Sequence, residues 1–202
     1  SHQDVKSMQD AENSHSSQGY RRKNMEVKIL VAGGTCSGKS TLASCIANHT
    51  GYPVTSVGKC LWGYAKETNL PHTAEDLQSL GLELIAQLGN DGFLQWIISH
   101  SPNIQQEQSF IIDGVRQLGM YESVKKMFSK NVLVYCVCDK ETRITRLMSR
   151  DGISKDDAER ILSLPLEQSV ISLELQADLV FQPENSVNDF LAKLDALMIK
   201  LS

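Results

Sequence analysis

The chain has 202 residues, 20 basic and 24 acidic, for a net charge of −4 with histidine neutral. That length suits one sizeable α/β domain, and the acidic balance argues against non-specific nucleic-acid binding, which needs a basic footprint, while leaving room for a local basic pocket around an anionic small molecule. No apolar run approaches the ~18 residues of a membrane span, and an odd count of five cysteines (Cys36, Cys45, Cys60, Cys136, Cys138), mostly in apolar or helical-looking segments, reads as reduced thiols in the cytoplasm.

Residues 1–24 are polar, rich in Ser, Gln and Asp, and without apolar periodicity. They read as a disordered tail, with Ser1-His2 as an expression scar and Arg21-Arg22-Lys23 as a short solvated basic run. The folded domain is expected over residues 25–202. Val27–Ala32 is a short apolar run closed by Gly33-Gly34, the pattern of a buried strand. Lys39–His49 carries Leu42, Ala43, Ile46 and Ala47 at helical spacing, and Gly51 and Pro53 break it. Val54–Val57 reads as a second strand and Lys59–Glu67 as a helix.

Thr73-Ala-Glu-Asp is an acidic helix start in the manner of a capping box, followed by Leu77, Leu80, Leu84, Ile85 and Leu88 at helical spacing. Phe93–Ile98 reads as a separate helix. A third strand, Phe110–Ile112, ends at Asp113-Gly114; Met120–Phe128 is helical; Val132–Val137 is the fourth strand. The alternating Cys136 and Cys138 should face the same side of that strand. Lys140–Arg150 is helical up to Asp151-Gly152, Ser154 caps a helix over Lys155–Leu164, and Pro165 opens another segment. Leu179–Phe181 is the fifth strand and Ser186–Leu201 an amphipathic closing helix. Apolar strands alternating with helices predict a parallel sheet covered on both faces, with ligands at the carboxyl ends of its strands.

Three constellations carry chemistry. Gly33-Gly34-Thr35-Cys36-Ser37-Gly38-Lys39-Ser40 fits GxxxxGK[ST], the phosphate-binding loop, and lies between a predicted strand and a predicted helix as that motif requires. Its backbone amides and the helix start form an anion nest. Lys39 can reach terminal phosphates, Ser40 can ligate magnesium, and Thr41 extends the hydroxyl-rich turn. In Phe110-Ile-Ile-Asp113-Gly114-Val115-Arg116, the acid at a strand end can serve magnesium and the arginine can fork onto a phosphate. The plainer readings are a helix cap for Asp113 and a surface position for Arg116. Arg143, Arg146 and Arg150 lie along one helix stripe, where like charges repel unless Glu141 or a nucleotide phosphate offsets them; a solvated basic face is the alternative.

Together these resemble nucleoside monophosphate kinases. FIIDGVRQLGMYESV looks like the adenylate kinase strand and DG-x-PR turn, with Val115 at the proline position. RITRLMSRDG looks like the helix entering their lid, and PVTSVGKCLWGYAKETNL like the segment that begins the acceptor-binding helices. RLMSRDGISKDDAERIL followed by QADLVF resembles dephospho-coenzyme A kinase, although Ser163-Leu164 stand where that family has a glutamine.

The resemblance implies a P-loop NTPase three-layer α/β sandwich with a five-stranded parallel sheet. It implies a helical acceptor-binding insertion over 59–100 and a lid over 143–165. It further implies Mg·ATP as donor, magnesium on Ser40 and Asp113, Arg116 and Arg150 neutralising transferred charge, and Arg146 against the donor base. Trp62 replaces the family's acceptor-phosphate arginine; Lys59 is positioned to take over that charge, and Trp62 either stacks on a base or joins the core. The segment Thr55-Ser56-Val57 holds no carboxylate to accept a hydroxyl proton, and a phosphate acceptor needs none, which favours a nucleotide-like acceptor over an alcohol. Alcohol phosphorylation in the manner of dephospho-coenzyme A kinase and a non-catalytic ATP-binding regulatory module remain the rivals. A signalling GTPase is disfavoured, since no NKxD-type motif is found.

Overall fold

A computed structural model of the protein describes residues 26–202, so the expectations for the N-terminal tail lie outside the described residues. The strands are β1 (Lys28–Ala32), β2 (Val54–Ser56), β3 (Phe110–Val115), β4 (Asn131–Cys136) and β5 (Leu179–Phe181). They form one sheet of order β2-β3-β1-β4-β5, and every neighbouring pair is parallel. The helices are α1 (Lys39–Thr50), α2 (Val57–Glu67), α3 (Ala74–Ser99), α4 (Leu118–Met127), α5 (Lys140–Asp151), α6 (Lys155–Leu162), α7 (Pro165–Ser169), α8 (Ile171–Gln176) and α9 (Val187–Leu201).

Alternation along the strands sorts the core. Ile29, Val31, Ile111, Val132 and Val134 face α1 and α9 and pack with Leu42, Ile46, Phe190 and Leu194. Leu30, Ala32, Ile112, Leu133 and Tyr135 face the other way, onto Leu61, Phe93, Leu94, Ile97 and Val124. The three-layer α/β sandwich expected from the sequence is the observed architecture. Helices α5 and α6 build a smaller cluster of their own from Ile144, Leu147, Ala158, Ile161 and Leu162. No helix among the described residues is long and apolar enough to cross a membrane.

Several boundaries differ from expectation, each for a local reason. Val57 belongs to α2, because the Ser56 side chain accepts the Lys59 N–H and caps the helix there. Within α3 the two helices expected over 73–88 and 93–98 are both found, parted by the non-helical Gly89 (φ 72°, ψ 172°), and a Thr73–Asp76 capping box opens the first. Asp113 does not cap α4, whose cap position is Gln117. Cys138 lies beyond the end of β4, so it does not share a strand face with the buried Cys136. All five cysteines are free thiols. Lys28, placed in a strand by its neighbours, is 1% exposed. Its ammonium donates to the carbonyls of Gln106 and Gln108 at 2.9 and 2.6 Å and sits over the rings of Phe110 and Phe128.

Candidate active site

The phosphate loop leaves the carboxyl end of β1 and enters α1 through Gly38, whose φ of 91° is left-handed. The Ser37 N–H closes back onto the Gly34 carbonyl at 3.1 Å. Gly34 has no room for a side chain, since a Cβ there would run into the Arg143 guanidinium. The Lys39 ammonium donates to the Gly34 carbonyl at 3.3 Å. Loss of hydration by burial, reinforced by the nearby positive charge of Arg116, lowers its pKa to about 8 despite the opposing pull of Asp113 and Glu167.

β3 neighbours β1, and this brings the second constellation to the loop. The register between them slips after Val31↔Asp113, so that Ala32 pairs with Val115 and Gly114 (φ 93°) is the extra residue of a bulge. A bulge re-aims the side chains around it. Asp113, 4% exposed, accepts the Ser40 hydroxyl on Oδ2 at 2.7 Å, across 73 residues of sequence. Its Oδ1 is buried without a protein partner. A hydroxyl beside a carboxylate with an unused oxygen suits magnesium, which takes few protein ligands and completes its octahedron with phosphate oxygens and waters. Among the described residues no cluster of three or more His, Cys, Asp or Glu offers an alternative metal site.

The arginine stripe on α5 separates into three environments. Arg143 turns inward: Nε donates to the Thr35 carbonyl at 2.9 Å and Nη2 to Glu167 Oε2 at 2.6 Å. Arg146 Nη1 donates to the Cys36 carbonyl at 3.1 Å, against the outer side of the loop. Arg150 pairs with its neighbour Asp151 at 2.8 Å and lines the cleft. Glu167 thus offsets Arg143 and Asp151 offsets Arg150, where Glu141 was expected to offset one of the three; Glu167 also accepts from Arg116 Nη1 at 2.7 Å. Burial works against ionisation of Glu167, but the two guanidiniums and the hydrogen bonds from Thr35 outweigh it, and the pKa lies below the ordinary value.

Lys39, Ser40, Asp113 and Arg116 line a cleft of about 860 Å³. Its far walls come from α2, α3 and α4 and include Leu61, Leu77, Ile85, Phe93 and Met120, with Lys59 and Trp62 also on its lining. Trp62 is 46% exposed, so it is not a core residue. Glu167 escaped the sequence reading. It sits in no motif and nothing in Leu-Pro-Leu-Glu-Gln-Ser distinguishes it from other acids; only the fold brings it to the loop.

A glycine-rich loop at the carboxyl end of the central strand of this sheet, with a hydroxyl–carboxylate pair beneath it, defines a P-loop α/β protein. Residues 32–163, well over half of the chain, match the family model described as an AAA domain, and the chain belongs to that family. Comparison with curated proteins gives no match. Among solved structures, a candidate kinase from Chloroflexus aurantiacus is similar at 15% identity and TM-score 0.59, covering 88% of this chain and 98% of that one. TT1252 from Thermus thermophilus is similar at 17% identity and TM-score 0.55, with coverages of 88% and 98%. A sugar kinase from a Janibacter species is similar at 15% identity and TM-score 0.51, with coverages of 88% and 96%. At these identities the likeness speaks for the shared fold.

Proposed function

We propose that the protein is an ATP-dependent phosphotransferase acting on a nucleotide or nucleotide-like small molecule in the cytoplasm. The observation that carries this reading is the joining of two half-sites. Lys39 and the Ser40–Asp113 pair form a polyphosphate and metal end, and Arg116 connects it to a roomy, largely apolar cleft.

Loop amides and the Lys39 ammonium hold the donor's terminal phosphates. Ser40 and Asp113 hold magnesium, which when bound draws negative charge off the β- and γ-phosphates. Arg116, on the cleft side, neutralises charge as the phosphoryl group moves between donor and acceptor. The apolar walls exclude water and suit a flat ring, and Lys59 supplies a cation on the acceptor side. The end of β2 presents Thr55 and Ser56 and no carboxylate, which is compatible with an acceptor already ionised.

Labelled ATP and magnesium with a panel of nucleoside monophosphates, deoxynucleotides, sugars and dephospho-coenzyme A test this directly. Transfer to a nucleotide is expected from the wild type and none from Lys39→Ala, whose thermal unfolding should be nearly unchanged. Transfer only to alcohols would move the acceptor class. Tight ATP binding without transfer to any acceptor would leave a nucleotide-binding module.

A further inference from the structure

Glu167 is a carboxylate with a 1% exposed side chain, on a short helix that no motif marks. An ionised acid is tolerated there only if its oxygens are filled by strong donors. They are. Oε1 takes Arg116 Nη1 at 2.7 Å and the Thr35 hydroxyl; Oε2 takes Arg143 Nη2 at 2.6 Å; the Thr35 N–H reaches both oxygens at 3.2 and 3.1 Å. One carboxylate therefore joins the phosphate loop, the end of β3 and the helix α5.

The two guanidiniums are not equivalent. Arg143 spends Nε on the Thr35 carbonyl and Nη2 on Glu167, and so acts as a clip on the loop. Among the described residues the Arg116 guanidinium donates only through Nη1, to Glu167, and the residue lines the cleft with Lys39 and Asp113. α7 also approaches the Arg116 backbone, where the Ser169 hydroxyl shares its proton between the Arg116 and Leu166 carbonyls, each at 2.9 Å. A long, flexible side chain is thus fixed at both ends by one five-residue helix, with donors left over on the cleft side. Two positive groups against one negative leave the cluster attractive to phosphate.

We propose that Glu167 is a positioning residue for phosphoryl transfer: it aims Arg116 into the cleft and locks the phosphate loop to α5. The proposal rests on the phosphotransfer reading above. Its physical content is preorganisation, since an arginine already aimed costs no rotamer freedom when charge develops.

Two readouts separate this from a merely structural ion pair. The first needs no turnover. In nitrogen-15 spectra of arginine side chains, the Arg116 Nε–H resonance, assigned by its loss in Arg116→Ala, should be sharp in the wild type and collapse in Glu167→Gln. An unchanged resonance overturns the proposal, whether or not an acceptor has been found. The second is kinetic. Glu167→Gln should lower kcat about tenfold or more while KM for Mg·ATP moves less than about threefold. The double variant Glu167→Gln/Arg116→Ala should be slower than Arg116→Ala by a smaller factor than Glu167→Gln costs alone, because the aiming of Arg116 is already lost and only the lock on the loop is left to lose. Multiplying losses, or a full wild-type kcat in folded Glu167→Gln, would overturn it. Glu167→Asp, which keeps the charge on a shorter stem, should restore part of kcat and takes the place of Glu167→Gln in both readouts if the glutamine variant does not fold. A wild type inactive on every acceptor would count against the phosphotransfer reading, and the resonance would still decide whether Glu167 orders Arg116.

Discussion

The ammonium of Lys39 is held among groups that oppose one another: burial and Arg116 drive its proton off, while Asp113 and Glu167 hold it on, and the pKa comes to about 8. Because this lies below the ordinary value of 10.5, the unfolded chain binds more protons between about pH 8 and 10.5. The cost of burying this charge is therefore fully present below pH 8 and is relieved as pH rises through that window. A bound polyphosphate favours the charged form and pulls the pKa back up. Binding of Mg·ATP near pH 8.5 should then take up a proton at Lys39, and binding near pH 6.5 should not. Calorimetry in two buffers of different ionisation enthalpy reads this as a buffer-dependent heat at the higher pH, absent in Lys39→Met. Equal heats in both buffers would count against a phosphate contact at Lys39. At this scale the sequence was a good guide where chemistry is encoded locally. The loop and the DGVR turn point to Lys39, Ser40, Asp113 and Arg116, and the fold gathers all four at one cleft. Glu167 was illegible because its meaning comes from partners 132, 51 and 24 residues away.

Among the elements, the strands were the easiest to read, since runs such as Val-Leu-Val-Tyr-Cys have few other stable fates in an α/β chain. Helix junctions were harder. α3 is broken at Gly89, whose φ of 72° and ψ of 172° are almost confined to glycine, so its two halves are separate helices joined by a kink. The amphipathic pattern is interrupted there, and the two helices that it suggested are the ones observed. Gly89→Ala should cost about 1–3 kcal/mol in urea unfolding, the price of holding alanine in that region. No clash contributes, since nothing lies within 4 Å of the position. A neutral or stabilising effect would mean that α3 runs straight through the bend in solution. Val57 shows the opposite ambiguity: an apolar β-branched residue that a serine cap recruits into a helix.

For the molecule as a whole, strand order was the part least available from local patterns, because each crossover could in principle return on either side. The order β2-β3-β1-β4-β5 matters because it sets β1 between β3 and β4, so that Ser40 and Asp113 meet. Ligand binding at such a junction of elements should be felt globally. Mg·ATP at a hundred times its Kd should raise Tm by about 5–10 °C for a domain of this size. Scanning fluorimetry would check this, with Lys39→Ala as the control expected to show little shift. A wild type that gains no Tm from saturating nucleotide would contradict a nucleotide site formed by the folded state.

Helices α5 and α6 bury their apolar residues largely on each other, in a cluster separate from both faces of the sheet. Their attachment to the phosphate loop combines polar ties, Arg143 to the Thr35 carbonyl and Arg146 to the Cys36 carbonyl, with apolar contact from Cys36. The pair is therefore held together by its own apolar contacts, and loss of the polar ties would loosen it from the loop as a unit without emptying either face of the sheet.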